Sequence, residues 1–509
     1  MATTTTITSM QLAQPPRTPI EEYSPHETRS RMSIAARIKD VIAMCSDWLH
    51  DWTPFILVVT YYIVSVCIYL VCSEKFIAIF WFIYMTSNFY IAGSTVVEAF
   101  VALNPIRESR KAVQNAINKD WKFPTPDDKL LVLDLIIVAY LPNEKDIIMD
   151  RTLYLLEKII YPKDKIRINV VYNTPRPIEP LETELWNLAA KHSNLRVIKV
   201  PGSTSKADNL NYFFTLNTGA DVIAIYDCDH YPHPYGPRWA IERMISNKKI
   251  DIVQGRCIVF NSDETWMAAM IAVEFDKIYA VSHPGRAAMW GFGLFTGSNG
   301  YWRADLLRGH KMNGDMLTED IDSALRAVAE NRKTVHDSNV VSYELAPVTW
   351  QAFWKQRMRW TQGWTQASIK HIFMTWNKPV HGGQRGFVMR FGLFSLLFVR
   401  EISYYLVTQF TILVFTFVVT RFPTSPIALA KLIFFTYPVS AWFFIISIVC
   451  LILTLWITNM VKSEFVSRWM IIQFAVLYPV YLTLFATIGL YGHARQVIGY
   501  SSWNPTARS

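Results

Sequence analysis

Long apolar runs lie near both ends of the chain, and the stretch between them alternates short β-rich runs with amphipathic helical patterns. Residues 54–72 and 76–100 are each long enough to cross a hydrocarbon core of roughly 30 Å. Only Ser73, Glu74 and Lys75 part them, so a transmembrane hairpin is predicted over residues 53–100. Ahead of it, Ile34, Ile38, Val41, Ile42, Cys45, Trp48 and Leu49 recur at helical spacing with Arg37 and Lys39 opposite, the pattern of an interfacial helix over 33–52. Residues 1–32 carry Thr3 to Thr6 and several prolines without apolar periodicity and read as a disordered cytosolic segment. The first apolar run begins too late for a secretory signal.

Toward the other end, residues 346–400 form two amphipathic stretches, the first rich in Trp, and residues 401–421 and 438–460 predict a second hairpin over 401–461. The latter run starts inside a longer apolar stretch from Pro426. Residues 469–491 are again apolar but interrupted by Pro479, so 462–492 is expected to be re-entrant or spanning, with a tail over 493–509. Arg29, Arg31, Arg37 and Lys39 precede the first hairpin, and Arg107, Arg110, Lys111, Lys119 and Lys122 follow it. The positive-inside rule then places residues 101–345 in the cytosol. If 469–491 crosses, the tail lies outside.

Within that middle segment, residues 130–139, 166–172, 195–200, 222–226 and 251–259 read as strands separated by helical patterns. Such alternation predicts an α/β domain with a mixed, mostly parallel sheet whose ligands bind beyond the carboxyl ends of the strands.

Composition agrees with a membrane-framed domain: of 509 residues, 51% are hydrophobic and 18% charged. The net charge of +9 comes from basic residues beside the apolar runs, which membrane topology explains and nucleic-acid binding does not. The six cysteines include no C-x-x-C spacing, which argues against a disulfide framework or structural zinc.

Three short motifs carry candidate chemistry. Val222-Ile-Ala-Ile-Tyr226 runs into Asp227-Cys228-Asp229, where two carboxylates at i and i+2 offer hard oxygen ligands to a Mg²⁺ or Mn²⁺ that holds a diphosphate. Cys228 and His230 invite a zinc reading, but no further soft ligand stands at suitable spacing. Thr318-Glu319-Asp320 opens a helical run and places a general base at a strand-end cleft, or simply caps that helix. In Gln356-Arg-Met-Arg359-Trp360, the Gln, Arg359 and Trp share one helical face. That face offers an amide, a guanidinium and an indole to a sugar and a phosphate, or snorkels at a bilayer surface.

Taken in order between membrane segments, the motifs resemble the D-x-D, T-E-D and Q-x-x-R-W signature of family 2 glycosyltransferases such as cellulose, hyaluronan and chitin synthases. The nearest resemblance is to fungal type 2 glycosyltransferases. Ser205-Lys206-Ala-Asp-Asn209-Leu-Asn211 is similar to the family's K-A-G-N-L-N, and Phe295-Thr-Gly297-Ser298-Asn299-Gly300 to its F-x-G-S-N-G; Val253-Gln254-Gly-Arg256 fits the strand before the latter. Trp503-Asn-Pro-Thr506-Ala-Arg508 resembles the family's W-x-x-T-x-R gating loop.

The resemblance implies a GT-A nucleotide-sugar-binding domain and inverting transfer from a nucleotide-diphosphate sugar to a growing polysaccharide, for a cell wall or other extracellular glycan at the plasma membrane. It implies Mg²⁺ or Mn²⁺ on Asp227 and Asp229, Asp320 as base with Glu319 beside it, and donor contacts from Ala139, Tyr140, Glu144, Lys206, Asp227, Gln356, Arg359, Trp360, Trp503, Thr506 and Arg508. Gly297, Ser298, Asn299 and Trp360 would meet the acceptor. Two departures stand near the nucleotide base: Ala139-Tyr140-Leu-Pro-Asn143-Glu144 replaces A-Y-N-E, and Tyr172-Asn173-Thr174 replaces an Asp-Asp pair. Uridine is the base the family implies; the departures leave guanosine open. A lipid acceptor is the alternative within the same chemistry, and an inactive membrane scaffold or channel the alternative outside it. The bilayer is an expected partner and a homo-oligomer is compatible with the sequence.

Overall fold

The computed structural model describes residues 34–437 and 439–499, apart from the side chains of residues 34–43, 45 and 47. Trp503, Thr506 and Arg508 therefore lie outside the described residues. Two compact units are distinguished, Met1–Trp52 and Thr53–Ser509. In the former, the described residues are helical from Ile34; the latter carries the sheet.

Eight strands are described: β1 Leu133–Tyr140, β2 Ile166–Asn173, β3 Leu195–Lys199, β4 Val222–Asp227, β5 Tyr231–Pro232, β6 Ile252–Val259, β7 Gly300–Arg303 and β8 Thr334–Glu344. They pair in the order β3-β2-β1-β4-β7-β6-β8-β5. The β1–β2, β1–β4, β2–β3 and β6–β8 pairs are parallel, while β7 runs antiparallel to β4 and β6. This is the α/β class, with the mixed, mostly parallel sheet, expected from the sequence.

Period-2 alternation places the sheet between two apolar layers. Ile136 and Val138 of β1, with Ile223 and Ile225 of β4, face one core, whereas Leu133, Leu135, Ile137 and Ala139, with Val222, Ala224 and Tyr226, face the other. Both faces being covered, these strands read as continuous apolar runs, and that is why they were legible. Asp134, fully buried in β1, is opposite Arg167 of β2 and pairs with it at 2.7 Å.

Three strands escaped the sequence reading. The β5 strand has two residues and β7 four, too short for a pattern. The β8 strand hides its alternation behind a bulge: Gly255 and Arg256 of β6 face Asp337 and Val341, so residues 338–340 leave the ladder.

Among the described residues, five helices are long and apolar enough to cross a membrane: Trp48–Val71, Glu74–Ile117, Phe387–Arg421, Ser440–Val461 and Arg468–Val497. One boundary differs from expectation. Residues 384–400, read as a separate amphipathic stretch, become helical at Phe387 and run on into Arg400–Arg421 through a π-turn at Ser395–Val399. The polar break at Glu401 does not end the helix, because His493, Thr365 and Ser368 all hydrogen-bond its carboxylate. Arg468–Val497 passes through Pro479 as one 30-residue helix, long and apolar enough for the spanning form of the expectation. A proline inside a membrane helix is tolerated where neighbours compensate the lost bond.

Candidate active site

The carboxyl ends of β1, β2 and β4 lie side by side and deliver Ala139 and Tyr140, Asn173, and Asp227. Ser205 caps the helix Lys206–Phe214 by accepting from the Asp208 amide at 3.1 Å, which fixes Lys206 at its first turn. The Lys206 ammonium donates to Asp227 Oδ1 and, at 2.8 Å, to the Gly297 carbonyl. Burial alone would lower its pKa; the carboxylates of Asp227, Glu319 and Asp320 outweigh that and hold it above the ordinary value.

Gln254 of β6, fully buried, shapes the loop that enters β7. Its amide nitrogen donates to the Ser298 carbonyl at 2.9 Å and its oxygen accepts from the Thr296 amide at 3.0 Å. Ser298 Oγ in turn accepts from the Asp227 amide at 3.1 Å. Asn299 lies beneath the cavity wall rather than on it: its amide accepts from Tyr226 and donates to the Val340 carbonyl.

Glu144 folds back to accept from the Tyr140 amide at 2.7 Å. Asn173, at the departure from the Asp-Asp pair, accepts from Asn209 at 2.8 Å and donates to the Ser203 carbonyl at 3.0 Å. Glu144 thus closes its own turn, and Asn173 ties the end of β2 to the segments carrying Ser203 and Asn209.

Ligand atoms of Asp227, Asp229 and His230 lie within 4.8 Å of one another, as do those of His230, Cys257 and Glu344. In the first set two carboxylates offer hard oxygen ligands to a divalent cation, and the His230 imidazole adds a softer nitrogen. In the second, a soft ligand absent from the local sequence arrives from β6. Burial pushes the Cys257 thiol well up.

The opposite wall is built by two helices, Glu319–Ala329 and Trp350–His371. Thr318 occupies the N-cap position, yet its side chain makes no capping bond. Asp322 locks the pair together: buried, it accepts from Arg326 of its own helix and from Lys370 and His371 at the end of the other. A close approach at Gly363 sets their spacing, since a Cβ there would stand 2.5 Å from Thr318 Cγ2.

Asp320 approaches the loop before β7 as closely: a Cβ on Gly297, whose φ is +92°, would lie 2.5 Å from Asp320 Oδ2. Burial raises the pKa of Asp320 against the pull of Lys206 and Arg359. Burial also pushes Glu319 up to about 7, opposed by Lys206 and reinforced by the Asp320 charge. A carboxyl raised toward neutrality beside a second one raised above its ordinary range suits acid–base chemistry. Among the described residues, Gln356 Oε1, Arg359 Nε and Thr318 Oγ1 are buried without a hydrogen-bond partner.

One cavity of about 530 Å³ joins these walls. Ala139, Tyr140, Glu144, Lys206, Asp227, Gly297, Ser298, Glu319, Asp320, Gln356, Arg359 and Trp360 all line it. It continues among the apolar helices, to Tyr404, Val407, Leu482, Phe485 and Ala486. Sequence reasoning missed that far end, and it missed Arg357, which forms a buried ion pair with Glu274. A lone glutamate inside the apolar run Trp266–Lys277 was the signal available.

This combination defines a glycosyltransferase. Residues 222–488, just over half the chain, match the model described as glycosyl transferase family group 2, and the chain belongs to that family. It is similar to glucomannan 4-beta-mannosyltransferase 2 of Arabidopsis thaliana, 27% identical over 49% of this chain and 47% of that one. It is also similar to the probable glycosyltransferase YdaM of Bacillus subtilis, 24% identical over 45% and 55%. The chain spans about half the length of the curated relatives it matches. Among solved structures, a mannosyltransferase of Pyrobaculum calidifontis in complex with GDP-Man and Mn²⁺ aligns with 72% of this chain and 99% of its own, at 16% identity and a TM-score of 0.45.

Proposed function

We propose that the protein is a membrane-integrated, inverting glycosyltransferase that moves a hexose from a nucleotide-diphosphate donor to the end of a polysaccharide, from the cytosolic face of the plasma membrane. The observation that carries this reading is the single cavity that joins the D-x-D end of β4, the T-E-D helix and the Q-x-x-R-W helix. Ala139, Tyr140 and Glu144 line the end expected to take the nucleotide, Lys206 approaches the diphosphate, and Gln356, Arg359 and Trp360 stand on the wall opposite. Asp320, with Glu319 adjacent, takes the proton from the acceptor hydroxyl. Asp227 and Asp229, with His230 beside them, would hold Mg²⁺ or Mn²⁺, which stabilises the charge developing on the leaving diphosphate. Gating by Trp503, Thr506 and Arg508 rests on the sequence resemblance alone.

Uridine is the base the motif resemblance implies, while the relatives named as mannosyltransferases favour mannose as the sugar. A lipid acceptor is the second reading, favoured by the apolar lining at Val407, Leu482 and Ala486. Purified protein offered radiolabelled UDP-glucose, UDP-N-acetylglucosamine and GDP-mannose with Mn²⁺ should transfer from one of them and stop in EDTA. Product size separates polymer from glycolipid. Transfer that persists in EDTA, or in the Asp227→Asn, Asp229→Asn double variant, would overturn the metal assignment, and turnover of none of the three donors would overturn the enzymatic reading.

A further inference from the structure

Arg357 lies inside the Q-x-x-R-W motif at a position to which the motif gives no role, yet its side chain is only 2% exposed. Its two terminal nitrogens meet the two Glu274 oxygens, and Tyr481 donates to the same carboxylate at 2.8 Å. The guanidinium carbon stands 4.6 Å from the centre of the Trp360 ring, 5.4 Å from Phe353 and 5.8 Å from Phe485. Trp360 is also 6.4 Å from the Phe275 ring, one residue beyond Glu274. Three separate helices, Trp266–Lys277, Trp350–His371 and Arg468–Val497, thus converge on one planar cation.

A buried ion pair is a poor source of stability, because desolvating both charges offsets most of their attraction. What this pair supplies is geometry. A guanidinium can grip a carboxylate with its edge while its flat face lies against an indole; an ammonium cannot do both. Arg357 and Trp360 are three residues apart and share a helical face.

We infer that Arg357, held by Glu274 and Tyr481, is a positioning residue that fixes the Trp360 ring against the acceptor, and that it links this ring to the last apolar helix. The inference rests on the reading of Trp360 as an acceptor contact. It predicts that loosening the clamp impairs delivery to the acceptor while leaving the donor in place.

The test uses the full-length protein in detergent with Arg357→Lys, Glu274→Gln and Tyr481→Phe, the last removing a single hydroxyl and keeping the test open should the charge variants fail to fold. With the donor the wild type accepts, KM for that donor should stay within about two-fold, while the ratio of donor hydrolysis to transfer should rise about 10-fold in Arg357→Lys and less in Tyr481→Phe. A ratio unchanged in every folded variant, or hydrolysis and transfer lost equally, would overturn the inference. Thermal melting needs no substrate: the Tm shifts of Arg357→Lys and Trp360→Phe should fall short of their sum when combined, because the two side chains touch. Additive shifts would overturn the clamp even if no donor is turned over, an outcome that separately removes the functional reading.

Discussion

Replacing Gly363 with Ala tests how closely the two helices of the cavity wall approach one another. The added Cβ would lie 2.5 Å from Thr318 Cγ2, 2.6 Å from its Oγ1 and 2.9 Å from its Cβ, where ordinary contact begins at 3.4 Å. Thr318 must retreat by roughly 1 Å, and Glu319 and Asp320 follow it directly in the chain; misplacing a reacting group by that much costs about 10² in rate. That corresponds to about 2.7 kcal/mol of barrier. Stability should change less: overpacking costs about 1–3 kcal/mol, and exchanging glycine for alanine inside a helix returns about 1 kcal/mol. Steady-state donor consumption and thermal melting, measured together, separate the two effects. Turnover should fall about 100-fold, well beyond any rise in donor KM, because Lys206, Asp227 and Glu144 stand on the other wall, although Gln356, Arg359 and Trp360 share the helix of Gly363. Adding Thr318→Ala removes the two nearest atoms and should recover about 10-fold of the loss. Wild-type turnover with a raised Tm would show an unopposed propensity gain and refute the contact.

Asp320→Asn should bind donor normally and lose about 10² to 10⁴ in transfer, whereas parallel losses in donor affinity and rate, read from KM and kcat, would return this helix entrance to a capping role. Asp322 is depressed below the usual carboxylate range by His371, Lys370 and Arg326, which outweigh its burial. Its stabilising effect is therefore complete above the unfolded pKa of about 3.9 and is lost as pH falls through the folded value. Asp322→Asn should lower stability by about 3 kcal/mol at neutral pH, the gap in Tm closing as pH drops below about 4; a gap constant with pH would contradict the ion-pair account. Ser509→Cys should react with an impermeant thiol reagent only after the membrane is opened if the tail closes over a cytosolic site, and labelling of intact cells would rule out that gating.

Much of this molecule could be read from local pattern. The strands β1, β2 and β4, buried on both faces, declare themselves as apolar runs, and the D-x-D, T-E-D and Q-x-x-R-W groups are short enough for neighbouring residues to carry the chemistry. Apolar length likewise marks the helices long enough to cross a membrane. Their ends do not follow from it: Phe387–Arg421 passes Glu401 because Thr365, Ser368 and His493 reach that carboxylate from other helices. Tertiary structure alone decided that Asp322 meets His371, 49 residues on, and that Glu274 meets Arg357 and Tyr481, 83 and 207 residues on. The same holds for Gly363 meeting Thr318 and for a cavity running from the end of β4 to Phe485. A run of sequence fixes which side chains share a face within one element, because backbone geometry has a set period. Which face of another element arrives opposite depends on burying both at once, and no local pattern encodes that choice.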